Sequence, residues 1–412
     1  MIYLFTTFKV KSKGQIEGDK LLVPKLRFKE FKNEWNEITL KKLLSFKNGI
    51  NGDKDSYGYG IKYISVGDIL NNTYITYDKI KGLIDINDKT LKENSVEYGD
   101  MVFQRSSETF NDIGQANVYL DKKQIATFGG FVIRGKKIGN YNPLFFNYLL
   151  KSPCNRKKVI VKGAGAQHYN ISQEELEKIK VNFTVEKEQV KIANLFYSLD
   201  KKIELQQRKI EALKIYKKGL IQKMYQKNYN NKIKMEKILI QKSIRNTNDE
   251  NYNVYSVSNK DGFILQTEQF KDRIVASEDT KNYKVVEKDD FAYNPARINV
   301  GSVARMKKDT KGIISPMYIC FKCNEEILPE YLEYFFESSK FTYEMNKRLE
   351  GSVRMCLSYE SMLNIPIELP NKNEQEEISK ILNNLSDKIK LEEEKKIKLN
   401  KLKKGLLQKM FI

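Results

Sequence analysis

The sequence is poor in the residues that build metal centres and disulfide frameworks. Among 412 residues it has one histidine, His168, one tryptophan and four cysteines. A single histidine excludes a His-rich metal site and a duplicated histidine-based active site. The cysteines are too few for a disulfide framework, which indicates a reducing compartment. They are Cys154, Cys320, Cys323 and Cys356.

Long apolar runs are also missing. The apolar opening of the chain stops after eight residues, too short for a signal sequence or a membrane span. No run of about 18 apolar residues occurs elsewhere. We therefore expect a cytoplasmic protein that does not cross a membrane.

Positive charge, in contrast, is abundant. Lysine and arginine total 73 against 53 acidic residues, a formal net charge of +20. This surplus predicts a polyanionic partner, with nucleic acid as the first choice and an anionic membrane surface as the second. With 40% hydrophobic residues the chain can fill cores, and its length suggests two or three domains.

The chain contains an internal repeat. When it is shifted by 186 residues, 188–225 falls on 374–411 without a gap, and 16 of the 38 positions are identical. The match includes Lys217–Leu220 on Lys403–Leu406. Upstream the likeness fades, so the two halves share a frame and differ in their first portions. A fixed scaffold that carries two variable readers would show this pattern, although plain gene duplication with drift would also produce it.

Each half begins with a mixed segment. Short alternating apolar runs between glycine, asparagine and aspartate clusters predict strands and turns. Examples are Ile61–Val66, Phe131–Ile133 and Tyr318–Phe321. One helix is predicted in each half, near Pro143–Ser152 and near Pro329–Ser338, because proline suits a first helical turn.

Each half ends in a helix of about 40 residues with alternating spacings of four and three, a heptad seam. Asn371 with Glu374 predicts a capping box for the second helix. The alternative is two separate amphipathic helices, each lying on its own domain. The predicted seam residues of the first helix are Ile192, Phe196, Leu199, Ile203, Gln206, Ile210, Leu213 and Leu220. Those of the second are Ile378, Leu382, Leu385, Ile389, Glu392, Leu399 and Leu406.

Two equivalent halves related by a pseudo-twofold axis would set these helices antiparallel. Gln206 and Glu392 would then lie near the middle of the pair, and we predict that they help to fix its register.

Three motifs suggest chemistry and fail on their details. Gly130–Lys137 fits a phosphate loop, but it ends in lysine instead of serine or threonine, and its middle reads as a strand. Asn294–Arg297 resembles an amino-methyltransferase motif without the second proline and the aromatic residue. The pair Cys320 and Cys323 lacks a second pair for zinc, which favours cysteines on a buried strand. We therefore predict no catalytic and no metal-binding residues.

Hydrogen-bonding side chains cluster in the loops that differ between the halves. Lysine and arginine bind phosphates, whereas arginine, asparagine and glutamine can read base edges. For any single one of these residues, an ordinary solvated loop position is the more frequent explanation. The DNA-binding candidates are Gln104, Arg105, Ser106, Asn111, Gln115 and Gln167 in the first half, and Asn294, Arg297, Asn299, Arg305 and Arg354 in the second.

The chain resembles the specificity (S) subunit of type I restriction–modification enzymes. The resemblance rests on the entry segment Pro24–Phe28 with Phe31 and Trp35, on the junction from Leu357 to Gln375, and on the repeated helix ends. It covers roughly residues 24–412.

The resemblance implies an α+β fold with two pseudo-twofold-related mixed α/β target-recognition domains separated by two long antiparallel coiled-coil helices. Each domain would read one half of a bipartite double-stranded DNA site. The partners would be two modification (methyltransferase) subunits and the restriction/translocase subunits. S-adenosylmethionine, ATP and Mg would be bound by those partners, and this chain would be non-catalytic.

The expected division is a leader (1–23), target-recognition domain 1 (24–184), a central spacer helix (185–227), target-recognition domain 2 (228–370) and a C-terminal spacer helix (371–412). The alternative function is a coiled-coil scaffold that binds nucleic acid without sequence preference.

Overall fold

The computed structural model describes residues 8–10, 22–165, 168–227, 229, 231–269, 280–351 and 354–412. The chain divides into two compact units. Unit 1 comprises Met1–Gln207 and Lys395–Ile412, and unit 2 comprises Arg208–Glu394. No helix in the described ranges combines the length and the apolar character needed to cross a bilayer.

In its described residues, unit 1 contains a four-stranded and a three-stranded sheet, together with three strand pairs. Its strands are β1 (Phe8–Val10), β2 (Leu26–Phe28), β3 (Asn36–Thr39), β4 (Leu44–Asn48), β5 (Tyr57–Ile64), β6 (Gly82–Ile84), β7 (Met101–Gln104), β8 (Ser106–Ser107), β9 (Ala116–Val118), β10 (Thr127–Phe128), β11 (Val132–Lys137), β12 (Tyr169–Asn170) and β13 (Lys180–Phe183). Its helices are α1 (Val66–Asn71), α2 (Asp88–Glu93), α3 (Pro143–Lys151), α4 (Pro153–Ile160) and α5 (Gln173–Glu177), and the long helix α6 (Glu186–Tyr225) begins in it.

The main sheet of unit 1 has the order β4-β11-β7-β9 and is antiparallel throughout. The other sheet, β10-β5-β6, contains the parallel pair of β5 with β10. Helix α3 begins as predicted with proline at its first turn, and the side chain of Asn142 caps it by accepting from the amide of Phe145. Its apolar face packs into the core with Trp35.

Unit 2 repeats this plan with changes. Its strands are β14 (Lys232–Lys234), β15 (Leu239–Lys242), β16 (Asn253–Ser258), β17 (Gly262–Leu265), β18 (Lys284–Val286), β19 (Phe291–Tyr293), β20 (Val303–Arg305), β21 (Gly312–Ile314), β22 (Ile319–Cys323) and β23 (Pro366–Glu368). Its helices are α7 (Gln266–Gln269), α8 (Pro329–Phe336), α9 (Ser339–Asn346) and α10 (Tyr359–Leu363), followed by the long helix α11 (Lys372–Met410).

The main sheet of unit 2, β15-β22-β19-β20, has the same order as that of unit 1. Its second sheet, β17-β16-β21-β18, has four strands where unit 1 has three. The shared frame and the divergent second sheets confirm the mixed α/β class for both halves. Cys320 and Cys323 lie on β22, where burial raises the pKa of their thiols to about 12 and about 11.

Each long helix is a single continuous element of about 60 Å, given a rise of 1.5 Å per residue. In unit 1 the two helices run antiparallel, because Asp200 pairs with Lys403 and Gln207, further along α6, accepts from Lys396. In unit 2 Lys209 donates to Glu392 at 2.9 Å. The antiparallel direction is thus confirmed inside unit 1, while the pseudo-twofold relation stays a prediction.

The predicted seam residues are all buried or half-buried. Glu392 is buried, with its carboxylate on Lys209, and Gln206 is half-buried. Asn371 caps α11 by accepting from the amide of Glu374 at 3.0 Å, which is one of the two hydrogen bonds of the predicted capping box. That Gln206 and Glu392 set the register stays a prediction.

The ends of both long helices also pack into domain cores. Phe411, after the end of α11, stacks on Phe196 with ring centroids 5.8 Å apart and contacts Trp35 and Phe145 in unit 1. Tyr225, the repeat equivalent of Phe411, contacts Tyr331 at 4.8 Å in unit 2. The repeated helix end therefore supplies an aromatic anchor, and the seam continues into each core.

The entry segment fixes the start of α6. Arg27, on β2, makes a two-armed ion pair with Glu188, both contacts being 2.7 Å. Both side chains are almost fully buried, and Thr184 also donates to Glu188. A buried pair of this kind is strongly destabilising to break, because the remaining charge is left without a partner.

Candidate nucleic-acid interface

In unit 1 two loops come together at one end of the main sheet. Strand β8 follows β7 in the chain and pairs with β12. The loop after Gln104 therefore lies beside the loop that precedes Ile171. Ser106 donates to the side chain of Asn170, and the amide of Ile171 donates to the carbonyl of Arg105 at 3.0 Å. These contacts bring together two regions in which the sequence predicts DNA-binding residues, the loop after Gln104 and the loop before Ile171.

Arg156, on α4, holds this loop in shape. Its guanidinium donates to the carbonyls of Asn111, Ile113 and Gly114 at 2.7–3.0 Å. Burial lowers the pKa of Arg156 to about 10, with Asp112 opposing the shift. The sequence does not predict this role of Arg156, since no local pattern connects an arginine on a helix with a loop more than 40 positions upstream.

The first-half candidates differ in accessibility. Gln104 is buried and donates to the carbonyl of Ser106, two residues ahead, at 2.9 Å. Arg105 is half-buried and donates to the carbonyl of Gly130 at 3.2 Å. Ser106 and Gln115 are half-buried, whereas Asn111 is exposed. Gln167 lies outside the described residues.

The second-half candidates follow β19. Arg297 and Asn299 are exposed around a short 3-10 turn that ends at Gly301, whose φ of 90° is a left-handed conformation suited to glycine. Arg354 is exposed between the bridged residues Glu350 and Cys356. The carbonyl of Pro295 accepts from the amide of Leu357 at 3.1 Å, and so ties the turn to that second loop.

Gln104 and Asn294 occupy equivalent positions: Gln104 is the last residue of β7, and Asn294 directly follows β19. Asn294 is also buried, and its side-chain oxygen accepts from the amide of Ala296, two residues ahead. Each amide side chain therefore shapes its own loop. Both side chains are buried, and their assignment as DNA-binding residues stays a prediction.

Arg305 has an internal role as well. It is buried on β20, and its guanidinium contacts the carboxylates of Asp289, Glu330 and Glu333 at 2.5–3.0 Å. Burial alone would lower the pKa of Arg305, but the acidic neighbours outweigh it and raise the pKa. With three carboxylates around it, this arginine has little capacity to bind a base or a phosphate.

A tyrosine, a lysine and a carboxylate join each domain to the long helices. In unit 1 the Tyr148 hydroxyl donates to Asp200 at 2.7 Å, and Lys403 contacts the same carboxylate at 2.5 Å. In unit 2 the equivalent lysine, Lys217, lies 4.8 Å from the ring centre of Tyr334 and pairs with Glu337 at 3.0 Å. The carboxylate thus comes from α6 in unit 1, but from just beyond the domain helix α8 in unit 2.

The rejected motifs have structural rather than chemical roles. Gly130–Lys137 forms a turn and β11, as the strand pattern predicted, and not a phosphate cradle. Within the described part of the chain, no group of three or more His, Cys, Asp or Glu side chains could hold a metal ion. An open depression of about 440 Å³ near Asn51 includes Asp53 and Asp85, whose charges do not suit a phosphate.

Comparison with known proteins identifies a family. The profile of the type I restriction modification DNA specificity domain matches the chain twice, over residues 32–214 and 231–401. A protein of Methanocaldococcus jannaschii assigned as the type I restriction enzyme MjaX specificity subunit is 23% identical over 420 residues. That alignment covers 92% of this chain and 93% of the relative.

Solved structures show the same fold at low identity. The S subunit of a type I restriction-modification system from M. genitalium aligns with a TM-score of 0.55 at 16% identity, covering 95% of this chain and 99% of that one. A chain from a study of complex assembly and conformational transition in the type I R-M system aligns with a TM-score of 0.57 at 10% identity. It covers 90% of this chain and 96% of the other.

Proposed function

Because this chain belongs to the type I restriction modification DNA specificity family, we propose that it is the sequence-reading subunit of a type I restriction–modification complex. Each recognition domain reads one half of a bipartite double-stranded DNA site, and the paired long helices fix the gap between the halves. The chain itself carries out no reaction.

The observation that carries this proposal is the repeated main sheet with different loops at its end. The main sheets of both units have the same strand order. A candidate loop follows the inner strand β7 in unit 1 and the inner strand β19 in unit 2. Unit 1 exposes Asn111 there, whereas unit 2 exposes Arg297 and Asn299. One scaffold with two unlike loops supports two unlike half-sites, because side chains on loops can change without disturbing the sheet.

The base-reading candidates differ in their exposure to solvent. Arg297, Asn299 and Arg354 are exposed in unit 2, and Asn111 and Arg105 are accessible to different degrees in unit 1. Arginine and asparagine can form paired hydrogen bonds with guanine and adenine respectively. Gln104, Asn294 and Arg305 are buried, so we rank them below the exposed residues as candidates for base contacts.

The long helices fit a docking role for protein partners. In unit 1 they expose Leu205 (62%) and Ile397 (53%), and in unit 2 Ile215 (73%) and Leu391 (56%). Exposed apolar side chains of this size favour a protein partner over a phosphate backbone. We infer that two modification subunits bind here and that restriction/translocase subunits join the complex.

The same division of labour places the cofactors on the partners. The modification subunits would bind S-adenosylmethionine and methylate adenine, while the restriction/translocase subunits would use ATP and Mg. A complex that acts on chromosomal DNA with these cofactors would work in the cytoplasm.

The test is to co-express the full chain with a modification subunit and to map methylated adenines across the host genome. The proposal predicts two short motifs at one fixed separation. A single continuous motif would overturn the two-reader arrangement. Steeply salt-dependent binding to any duplex without a methylation motif would favour the non-specific scaffold instead.

A further inference from the structure

Each recognition domain has a tight turn directly before one of the two inner strands of its main sheet, β11 in unit 1 and β22 in unit 2. In unit 1 the amide of Val132 donates to the carbonyl of Gly129 at 2.8 Å. In unit 2 the amide of Tyr318 donates to the carbonyl of Ser315 at 3.1 Å. The two turns lie 186 residues apart, the offset of the repeat, so they are equivalent four-residue β-turns.

The third residue of each turn is apolar and points away from the core. Phe131 is 67% exposed and Met317 is 60% exposed, although both flanking strands are largely buried. Exposing so much of a large apolar side chain forgoes the stabilisation that burial would give. Many apolar side chains of this chain are exposed, but these two share one turn position in both halves, which favours a contact made outside the chain.

The backbone beneath the unit 1 tip is tightly held. A Cβ atom at Gly129 would come within 2.2 Å of the Tyr63 hydroxyl, and one at Gly130 within 2.0 Å of the Asn51 side-chain oxygen. A larger residue at either position would have to displace the end of the Tyr63 or Asn51 side chain. The amide of Gly129 also donates to the carbonyl of Ile64 at 3.0 Å, which holds the backbone next to Phe131 in place. A rigid tip of this kind loses little entropy on binding.

The unit 2 tip is fixed by other means. Pro316 occupies the second turn position, where its restricted φ favours the turn. The Tyr318 hydroxyl accepts from the amide of Val257 at 3.4 Å, and Lys284 donates to the Tyr318 carbonyl at 2.6 Å. Two different solutions thus hold an apolar side chain at the same place.

Both tips lie beside the candidate loops, and in each turn a cationic side chain donates to a backbone carbonyl, from Arg105 to Gly130 in unit 1 and from Lys284 to Tyr318 in unit 2. The amide of Arg105 donates to the carbonyl of Phe131 at 2.9 Å, and its guanidinium donates to Gly130. In unit 2 the middle strand ends at Tyr293, opposite Ile319, so the chain towards Arg297 leaves the sheet next to the turn. An apolar tip flanked by positive charge is complementary to DNA, where apolar groups in a groove lie between two rows of phosphates.

We propose that Phe131 and Met317 are apolar base contacts, each touching the 5-methyl group of a thymine in the half-site read by its own domain. The thymine methyl is the apolar group that a base pair presents in the major groove, and phenylalanine is among the side chains that contact it. This inference rests on the proposed function and adds a specificity-determining residue to each reader.

The experiment uses the full chain bound to its modification subunits and a duplex that carries the mapped site. Each thymine is replaced singly by deoxyuridine, which removes only the methyl group, and affinity is measured by fluorescence anisotropy at one fixed salt concentration. Loss of one buried methyl contact predicts an affinity about fourfold lower at one thymine in each half-site. A thymine is available because each half-site must contain the adenine·thymine pair that is methylated.

The variants supply the second half of the comparison. With Phe131→Ala the deoxyuridine effect should disappear in the half-site of domain 1 and persist in the other, and Met317→Ala should give the converse. Both side chains are exposed, so an unchanged Tm checks that the variants fold. Equal deoxyuridine effects in wild type and variants would overturn the proposal.

Weakened subunit assembly with unchanged DNA discrimination would also overturn it, by identifying the tips as protein contacts. The proposed function fails separately, if wild-type chain yields no split methylation motif at all.

Discussion

In unit 1 the carboxylate of Asp200 joins the domain to the long helices, whereas in unit 2 Glu337 supplies the carboxylate. We expect that unit 1 can also take its carboxylate from the position that corresponds to Glu337. Asp200 receives both the Tyr148 hydroxyl and Lys403, and its side chain is only 10% exposed. The repeat equivalent of Asp200 is Ser386, and the equivalent of Lys151 is Glu337. Lys151 also interacts electrostatically with Asp200, so Asp200→Ser leaves two lysines, Lys151 and Lys403, without this carboxylate.

The expected cost is about 2 kcal/mol of unit 1 stability. An exposed ion pair contributes under about 1 kcal/mol, whereas removal of one partner of a fully buried pair costs about 3–5 kcal/mol. The side chains of Asp200 and Lys403 are 10% and 24% exposed, so this pair lies between the two cases. Adding Lys151→Glu copies the unit 2 arrangement and should restore about half of the loss. Lys151→Glu alone should destabilise, because two carboxylates would then share one lysine.

The assay is urea unfolding followed by tryptophan fluorescence. Trp35 is the single tryptophan of the chain, is 1% exposed in the core of unit 1, and so reports that unit. Asp55→Ser removes an exposed carboxylate from the same unit and serves as the control, with a change within about 0.5 kcal/mol. The reasoning is refuted if Asp200→Ser behaves like Asp55→Ser, or if the double variant shows the sum of the single effects.

Two further variants test the packing of Phe411 and the effect of Lys151 on the pH dependence of stability. Phe411→Ala should destabilise unit 1 by about 3–4 kcal/mol, because it leaves a cavity in an aromatic cluster. The control, Ile397→Ala at a 53% exposed site, should have little effect on urea unfolding measured by circular dichroism. Equal effects of the two variants would contradict the anchor role of Phe411. Burial, together with nearby Lys403, lowers the pKa of Lys151 to about 7, so the unfolded chain binds the extra proton between about pH 10 and 7 and stability falls as the pH drops through that window. Lys151→Met should remove this slope from the unfolding midpoint measured between pH 7 and 10, and an unchanged slope would assign it to other groups.

Periodicity explains why so much of the architecture could be predicted. The heptad spacing located the long helices, because apolar residues at intervals of three and four share one face of a helix. Proline at a first turn located α3 and α8, and alternating apolar runs located β5, β11 and β22. Each of these signals is local and depends on spacing alone.

The interface was less predictable because side-chain direction in an irregular loop depends on distant partners. Arg305 and Arg297 look alike in sequence, yet one is enclosed by three carboxylates and the other is exposed. Arg156 shapes the unit 1 loop through carbonyls, which no residue pattern records. Phe131 and Met317 differ in side chain, so their equivalence emerges only from the shared turns.

The most direct test of the two-reader account is a methylation map for one arginine variant in each loop. Arg105→Ala should relax or abolish the half-motif read by domain 1 and leave the other half and the gap unchanged, and Arg297→Ala should do the converse. Exposed lysines beyond the opposite end of each main sheet provide controls, Lys42→Ala in unit 1 and Lys237→Ala in unit 2, and both should leave the whole motif intact. If either arginine variant altered both half-motifs together, or if neither altered any position, the assignment of one half-site to each domain would be contradicted.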